Sequence, residues 1–361
     1  MAPTTSSTAT EHDARSPDLV GDKETVITQA LSADDVVRAA GALAGRVERT
    51  PVLHSDDLDE IIGARVWVKA ENLQRGGSYK LRGATYAVSR LADRGARGVL
   101  AQSTGNHGIA VALAARVHGL DATIVLPTVA PSLKQEAIER FGARLVLEPG
   151  TTEDRILRVR RLRSETGHDI VDAYDHPDVI AGQGTATLEM LEDLDGRGVR
   201  PDAVVLPVGG GGGLAGACLA TERRGAAVHG VEPVGCDSMT RSLEAGRRVT
   251  VEPTTTLADG LTPARVGALP FEIARRAVAS MVLVDDAQLR WGLHMAARHL
   301  RLLVEPSAAA GLAAACELAR HGCTDIGVML TGGNVPTALV ADVLAGEALH
   351  PGAGRGSVRC R

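Results

Sequence analysis

Between residues 32 and 345, short and mostly apolar runs alternate with longer stretches of helical periodicity. That rhythm restricts the fold more than any other feature of the chain. The runs fall at 66–68, 98–101, 122–126, 144–147, 203–208, 228–231, 281–284 and 326–330. Strands with one solvated face alternate polar and apolar residues; these do not, as expected when helices cover both faces of a parallel sheet. The class is therefore α/β, with open twisted sheets covered by helices. The first helix is announced by Ser32-Ala33-Asp34-Asp35, a capping-box pattern ahead of Val36, Val37, Ala40 and Leu43.

Composition narrows the function. With 361 residues the chain is long enough for two lobes, each with its own core. A net charge of −5 leaves no basic footprint for nucleic acid. Aromatic residues at 2% supply no stacking platform for single strands. No apolar run approaches the roughly 20 residues that cross a bilayer, so no membrane partner is expected. The five cysteines show neither CxxC pairing nor zinc spacing. This fits a reducing, cytoplasmic compartment and a small-molecule partner. Residues 1–31 are polar and aperiodic, fit neither a secretory signal nor a transit peptide, and read as a disordered extension. Residues 346–361 read as a flexible Gly/Arg tail.

Ligands of doubly wound sheets sit where strands run into helices, and three such loops stand out. The run at 203–208 enters Gly209-Gly210-Gly211-Gly212-Gly213-Leu214-Ala215-Gly216. Consecutive residues without Cβ let backbone N–H groups converge on a phosphate at a helix N-terminus. No Lys-Ser/Thr follows, so this is not a Walker loop, but Gly211, Gly213 and Gly216 satisfy GxGxxG, and Glu232 ends the next strand. On this loop alone a nicotinamide oxidoreductase competes. The second segment, Arg75-Gly76-Gly77-Ser78-Tyr79-Lys80, sets a lysine at a helix start; beside a carbonyl cofactor its pKa would fall and make it a Schiff-base nucleophile. Together the two segments suggest a cofactor with one aldehyde and one phosphate. The third, Ser103-Thr104-Gly105-Asn106-His107, offers N–H groups to a carboxylate and an amide to a phenolic oxygen. The last strand delivers Thr331.

These segments, with Ala181-Gly182-Gln183-Gly184-Thr185, Ala258-Asp259-Gly260-Leu261 and Val304-Glu305-Pro306-Ser307, resemble the serine/threonine dehydratases and serine racemases over about residues 34–345. Those are pyridoxal-phosphate enzymes of the tryptophan-synthase-β fold type. The resemblance implies pyridoxal 5′-phosphate as cofactor, with Lys80 its Schiff-base lysine and Tyr79 beside its ring. Gly209, Gly210, Gly211 and Gly212 would form the phosphate loop, Asn106 would meet the 3′-oxygen, Thr331 the pyridine nitrogen, and Glu305 would belong to the cofactor site. Ser103, Thr104, Gly105, Asn106 and His107 would receive the substrate carboxylate. The chain departs from the usual pattern at Gly76 (usually Thr), Tyr79 (usually Phe), Thr104 (Ala in dehydratases, Ser in racemases) and Gly213 (usually Leu or Met). It also has Ser238 where racemases with a metal carry Asp, so a metal is left unassigned.

The resemblance implies a large cofactor-binding domain from 32–97 and 175–345, a small mobile domain at 98–174, and a homodimer or homotetramer. It implies β-elimination, an ammonia-lyase reaction in which Lys80 removes the α-proton of L-threonine, L-serine or a related β-hydroxy amino acid, such as hydroxyaspartate. The products would be a 2-oxo acid and ammonia. The alternative is racemisation, with Thr104 as the proton donor on the opposite face. The chain ends soon after Thr331, so the regulatory extension of isoleucine-pathway threonine dehydratases is not expected.

Overall fold

The computed structural model describes residues 31–103, 105–346 and 358–360. The extension expected over 1–31, apart from Leu31, lies outside the described residues, as do Thr104 and most of the expected tail. Among the described residues, eleven strands form two sheets: Val52–Leu53 (β1), Arg65–Ala70 (β2), Gly98–Gln102 (β3), Asp121–Pro127 (β4), Arg144–Glu148 (β5), Asp169–Ile170 (β6), Ala203–Pro207 (β7), Ala227–Pro233 (β8), Val278–Val284 (β9), Asp325–Leu330 (β10) and Val358–Cys360 (β11).

The larger sheet has the order β1-β2-β10-β7-β8-β9-β11 and the smaller β5-β4-β3-β6. Every neighbouring pair is parallel except the two edges, β1 on β2 and β11 on β9. Most of the apolar runs became central strands because both faces are covered: all six residues of β10 and all five of β7 are buried, whereas the run at 144–147 is the edge strand β5 with none of its residues buried. Part of the segment read as a flexible tail is instead the edge strand β11. It covers N–H and C=O groups that β9 would otherwise leave unpaired.

Helices form the outer layers. Ala33–Leu43 starts as its sequence predicts, with the Asp35 carboxylate accepting the Ser32 N–H at 2.9 Å. Its buried stripe is Val36, Ala39 and Leu43, while Val37 is exposed. Pro306–Arg320 is almost wholly buried, and its small side chains, such as Ala308, Ala309 and Ala310, let it lie close on the larger sheet. Among the described residues no helix is long and apolar enough to cross a membrane.

The strand order does the work of assembly. β2, β10 and β7 are neighbours, so the segments leaving their carboxyl ends meet although they begin near residues 71, 331 and 208. β3, in the smaller sheet, brings the 103–107 loop against them.

Candidate active site

These ends enclose a cavity of about 180 Å³. Tyr79, Lys80, Ser103, Asn106, His107, Gly209 to Gly213, Glu305 and Thr331 all line it. Gly105, also expected there, starts helix Asn106–His118 immediately beside it. Thr104 lies outside the described residues.

Lys80 opens helix Lys80–Asp93. The loop before it is stitched to the chain after β10: the Tyr79 N–H donates to the Thr331 carbonyl at 3.0 Å, the Gly333 N–H to the Gly77 carbonyl at 2.9 Å, and the Asn334 amide to the Gly76 carbonyl at 2.9 Å. Two residues into the helix, Arg82 is fully buried and forms paired hydrogen bonds with both Glu71 and Glu189 at 2.7–2.9 Å. The lysine is therefore fixed from both sides. Its Nζ donates to the Ala173 carbonyl at 3.0 Å. Burial lowers its pKa to about 8, opposed by the charges of Asp172 and Glu305, so roughly a tenth is neutral amine at pH 7, far more than for an ordinary lysine.

The glycine loop is shaped by what packs against it. A Cβ on Gly210 would stand 2.1 Å from the Tyr174 ring, and one on Gly213 would stand 2.7 Å from the Tyr79 hydroxyl. The Gly267 N–H donates to the Gly210 carbonyl at 3.1 Å. Gly212 begins helix Gly212–Thr221, whose first N–H groups have no intrahelical acceptor.

Across the cavity, Ser103 Oγ accepts the N–H groups of Gly105 and Gly108, each at 2.9 Å. It thus holds the loop in place. The Asn106 amide donates to both Glu305 oxygens at 2.8 and 3.0 Å, while its oxygen accepts from Asn334 at 3.0 Å. Burial raises the Glu305 carboxyl to about 7, with Lys134 pulling the other way. Burial, followed by the Lys80 charge, pushes His107 down to about 3. His107 is therefore neutral; its Nε2 hydrogen-bonds the Val171 carbonyl at 2.8 Å, and Nδ1 is left without a partner.

Glu232, the residue a ribose-binding reading would need, is engaged elsewhere. Its carboxylate accepts the N–H groups of Met239 and Thr240 at 2.8 and 2.9 Å and the Thr240 hydroxyl at 2.7 Å. Among the described residues, the one cluster of potential metal ligands is His54, Asp56 and Asp59, none of which lines the cavity.

Sequence reasoning passed over three residues here. Tyr174 packs on the glycine loop. Lys134 crosses from helix Ser132–Arg140 to Asp259 at 2.8 Å. Arg155 lines the cavity and is 5% exposed. It hides among the arginines of helix Thr152–Thr166, yet its spacing from Val159 and Leu162 places it on the one buried stripe.

A buried, partly neutral amine faces a cup of N–H groups whose glycines tolerate no Cβ, with a strand-end hydroxyl at Thr331 beside them. This donor set suits a cofactor with an aldehyde, a phosphate and a ring nitrogen, and defines a pyridoxal-phosphate enzyme. Comparison with known proteins agrees: residues 43–332 match the family described as pyridoxal-phosphate dependent enzyme, and the chain belongs to it. It is similar to an L-threo-3-hydroxyaspartate ammonia-lyase of Pseudomonas sp, 41% identical over 88% of this chain and all of that protein. Among solved structures it is similar to the threonine deaminase of T.th., with 38% identity, 85% of this chain and 99% of that one covered, and a TM-score of 0.81. It is also similar to maize serine racemase, with 33% identity, 88% and 98% covered, and a TM-score of 0.82. The fold is thus the type II fold of these enzymes, and pyridoxal phosphate is the cofactor.

Proposed function

We propose that this protein is an ammonia-lyase for a β-hydroxy amino acid bearing a second carboxylate, L-threo-3-hydroxyaspartate being the substrate that fits best. The observation that carries this reading is Arg155. Its guanidinium is buried at the cavity wall, bonded to the Gly150 carbonyl at 3.2 Å and the Thr152 hydroxyl at 2.8 Å, while Nε has no partner. Burial lowers its pKa, with the Asp154 charge opposing, so a further anion at the guanidinium would be favourable. Serine and threonine carry nothing to satisfy it; a β-carboxylate does. The Pseudomonas relative acts, by its name, on such a substrate.

In this scheme the α-carboxylate lies at the N-terminus of helix Asn106–His118, on the N–H groups that Ser103 leaves free. Arg155 takes the second carboxylate and so fixes which face of Cα meets Lys80. Bound pyridoxal phosphate supplies the electron sink that acidifies Cα. The Lys80 amine, with its lowered pKa and the Ala173 carbonyl to rest against, takes the α-proton. The proton that Lys80 has taken passes to the β-hydroxyl, which leaves as water, and hydrolysis of the released enamine, through its imine, gives oxaloacetate and ammonia. Neutral His107 adds no charge that would compete for the carboxylates. Closure of the 98–174 segment over the substrate, held by the Lys134–Asp259 pair already formed at 2.8 Å, would exclude water.

Arg155→Met tests the assignment. The value of kcat/KM for L-threo-3-hydroxyaspartate should fall about 10- to 100-fold, the worth of a charge-assisted hydrogen bond, while that for L-serine stays within a few-fold. Equal losses on both substrates would contradict it. Racemisation is the second reading, because a hydroxyl, Thr104, precedes Gly105-Asn106-His107. D-product formation that Thr104→Ala removes would support it.

A further inference from the structure

We propose that the Tyr79 hydroxyl is a ligand of the cofactor phosphate, an added donor at the rim of the glycine cup, made possible by the loss of the side chain at position 213. This rests on the reading of Lys80 and Gly209 to Gly213 as the cofactor site and extends it by one residue.

The geometry places the hydroxyl at the cup. Gly213 lies in the first turn of helix Gly212–Thr221, among N–H groups that point out of the helix end. A Cβ there would come within 2.7 Å of Tyr79 Oη and 2.9 Å of the ring. The phenol therefore fills the space of a missing side chain. Both residues line the cavity. The backbone that carries the ring is held by the Tyr79 N–H bond to the Thr331 carbonyl. Among the described residues the hydroxyl has no hydrogen-bond partner in the protein. Burial and the Glu305 charge hold its pKa above the ordinary tyrosine value, so it stays an O–H donor. An unpaired hydroxyl on a residue that lines the cavity gains a charge-assisted partner when an anion binds there, and the phosphate is the anion this site admits.

Tyr79 and Gly213 are matched to each other, since the hydroxyl stands where a side chain at 213 would begin. A larger residue at 213 would displace the hydroxyl, and a Phe at 79 would leave a hole over the glycine.

The test compares pyridoxal phosphate with pyridoxal, which lacks the phosphate. The full-length chain, stripped of cofactor, is titrated with each, following quenching of its tryptophan fluorescence and, separately, the visible band of the lysine-bound aldehyde. Tyr79→Phe should weaken pyridoxal phosphate binding about tenfold and pyridoxal binding less than about twofold. Gly213→Ala, which pushes the hydroxyl aside and leaves it intact, should reproduce that selective loss and serves if Tyr79→Phe does not fold. Equal weakening of both ligands, or of neither, would overturn the proposal. Failure of the Lys80 reading looks different: a wild-type chain that quenches but forms no visible band, with the ratio of the two affinities still deciding Tyr79.

Discussion

Lys80 owes its chemistry to its neighbours. Burial favours its neutral form, and the Asp172 and Glu305 charges oppose that. Asp172 also shapes the turn beneath it, accepting the N–H groups of Tyr174 and Asp175 at 2.9 and 2.7 Å through one oxygen. Asp172→Asn keeps that oxygen and deletes the charge. Losing a negative neighbour disfavours the ammonium, so the Lys80 pKa falls. The acid limb of the kcat–pH profile should move down by about one unit; an unmoved limb would show that Asp172 serves the turn alone. At this scale the sequence disclosed residues that sit in local patterns: the glycine run, the lysine at a helix start, the Asn-His turn. Tyr174 was not legible because no pattern within its own segment marks it, and Arg155 was marked only by its spacing from Val159 and Leu162 on a helix crowded with arginines. Their meaning comes from Gly210, Lys80 and the cavity, contributed by distant parts of the chain.

At the scale of elements, the helix that carries Lys80 is anchored by charge rather than by apolar packing alone. Arg82 answers Glu71 from the turn after β2 and Glu189 from helix Pro177–Asp195. Lys69 closes the set on Glu189 at 3.0 Å and the Thr50 carbonyl at 2.7 Å. Arg82→Ala would take the guanidinium from the fully buried Glu71 carboxylate and leave Glu189 to Lys69 alone. It should cost about 3–5 kcal/mol of stability, read as a lowered denaturant midpoint, and it should loosen the cofactor. A midpoint unchanged from wild type would mean the network is solvated in solution. The central strands could be read from sequence because unbroken apolar runs have one explanation in a covered parallel sheet. β1, β6 and β11, of two or three residues each, are too short to carry any periodicity and exist only through their partners.

For the whole molecule, the order β2-β10-β7 explains why residues 80, 209 and 331 share one cavity. Pairing order in a parallel sheet is fixed by crossover packing; neither hydrophobic pattern nor motif spacing encodes it. The sequence conveyed the α/β class from its rhythm and the cofactor from a set of motifs in order. The sequence offered hydroxyaspartate as one example of a β-hydroxy substrate; the proposal of a second carboxylate rests on Arg155 at the cavity wall with Nε unpaired. The most direct measurement is release of ammonia and 2-oxo acid by the purified holoenzyme from L-threo-3-hydroxyaspartate, L-serine and L-threonine, compared as kcat/KM. The account predicts a preference for hydroxyaspartate of at least about tenfold, the low end for one charge-assisted contact. Equal or greater efficiency on serine or threonine would contradict it.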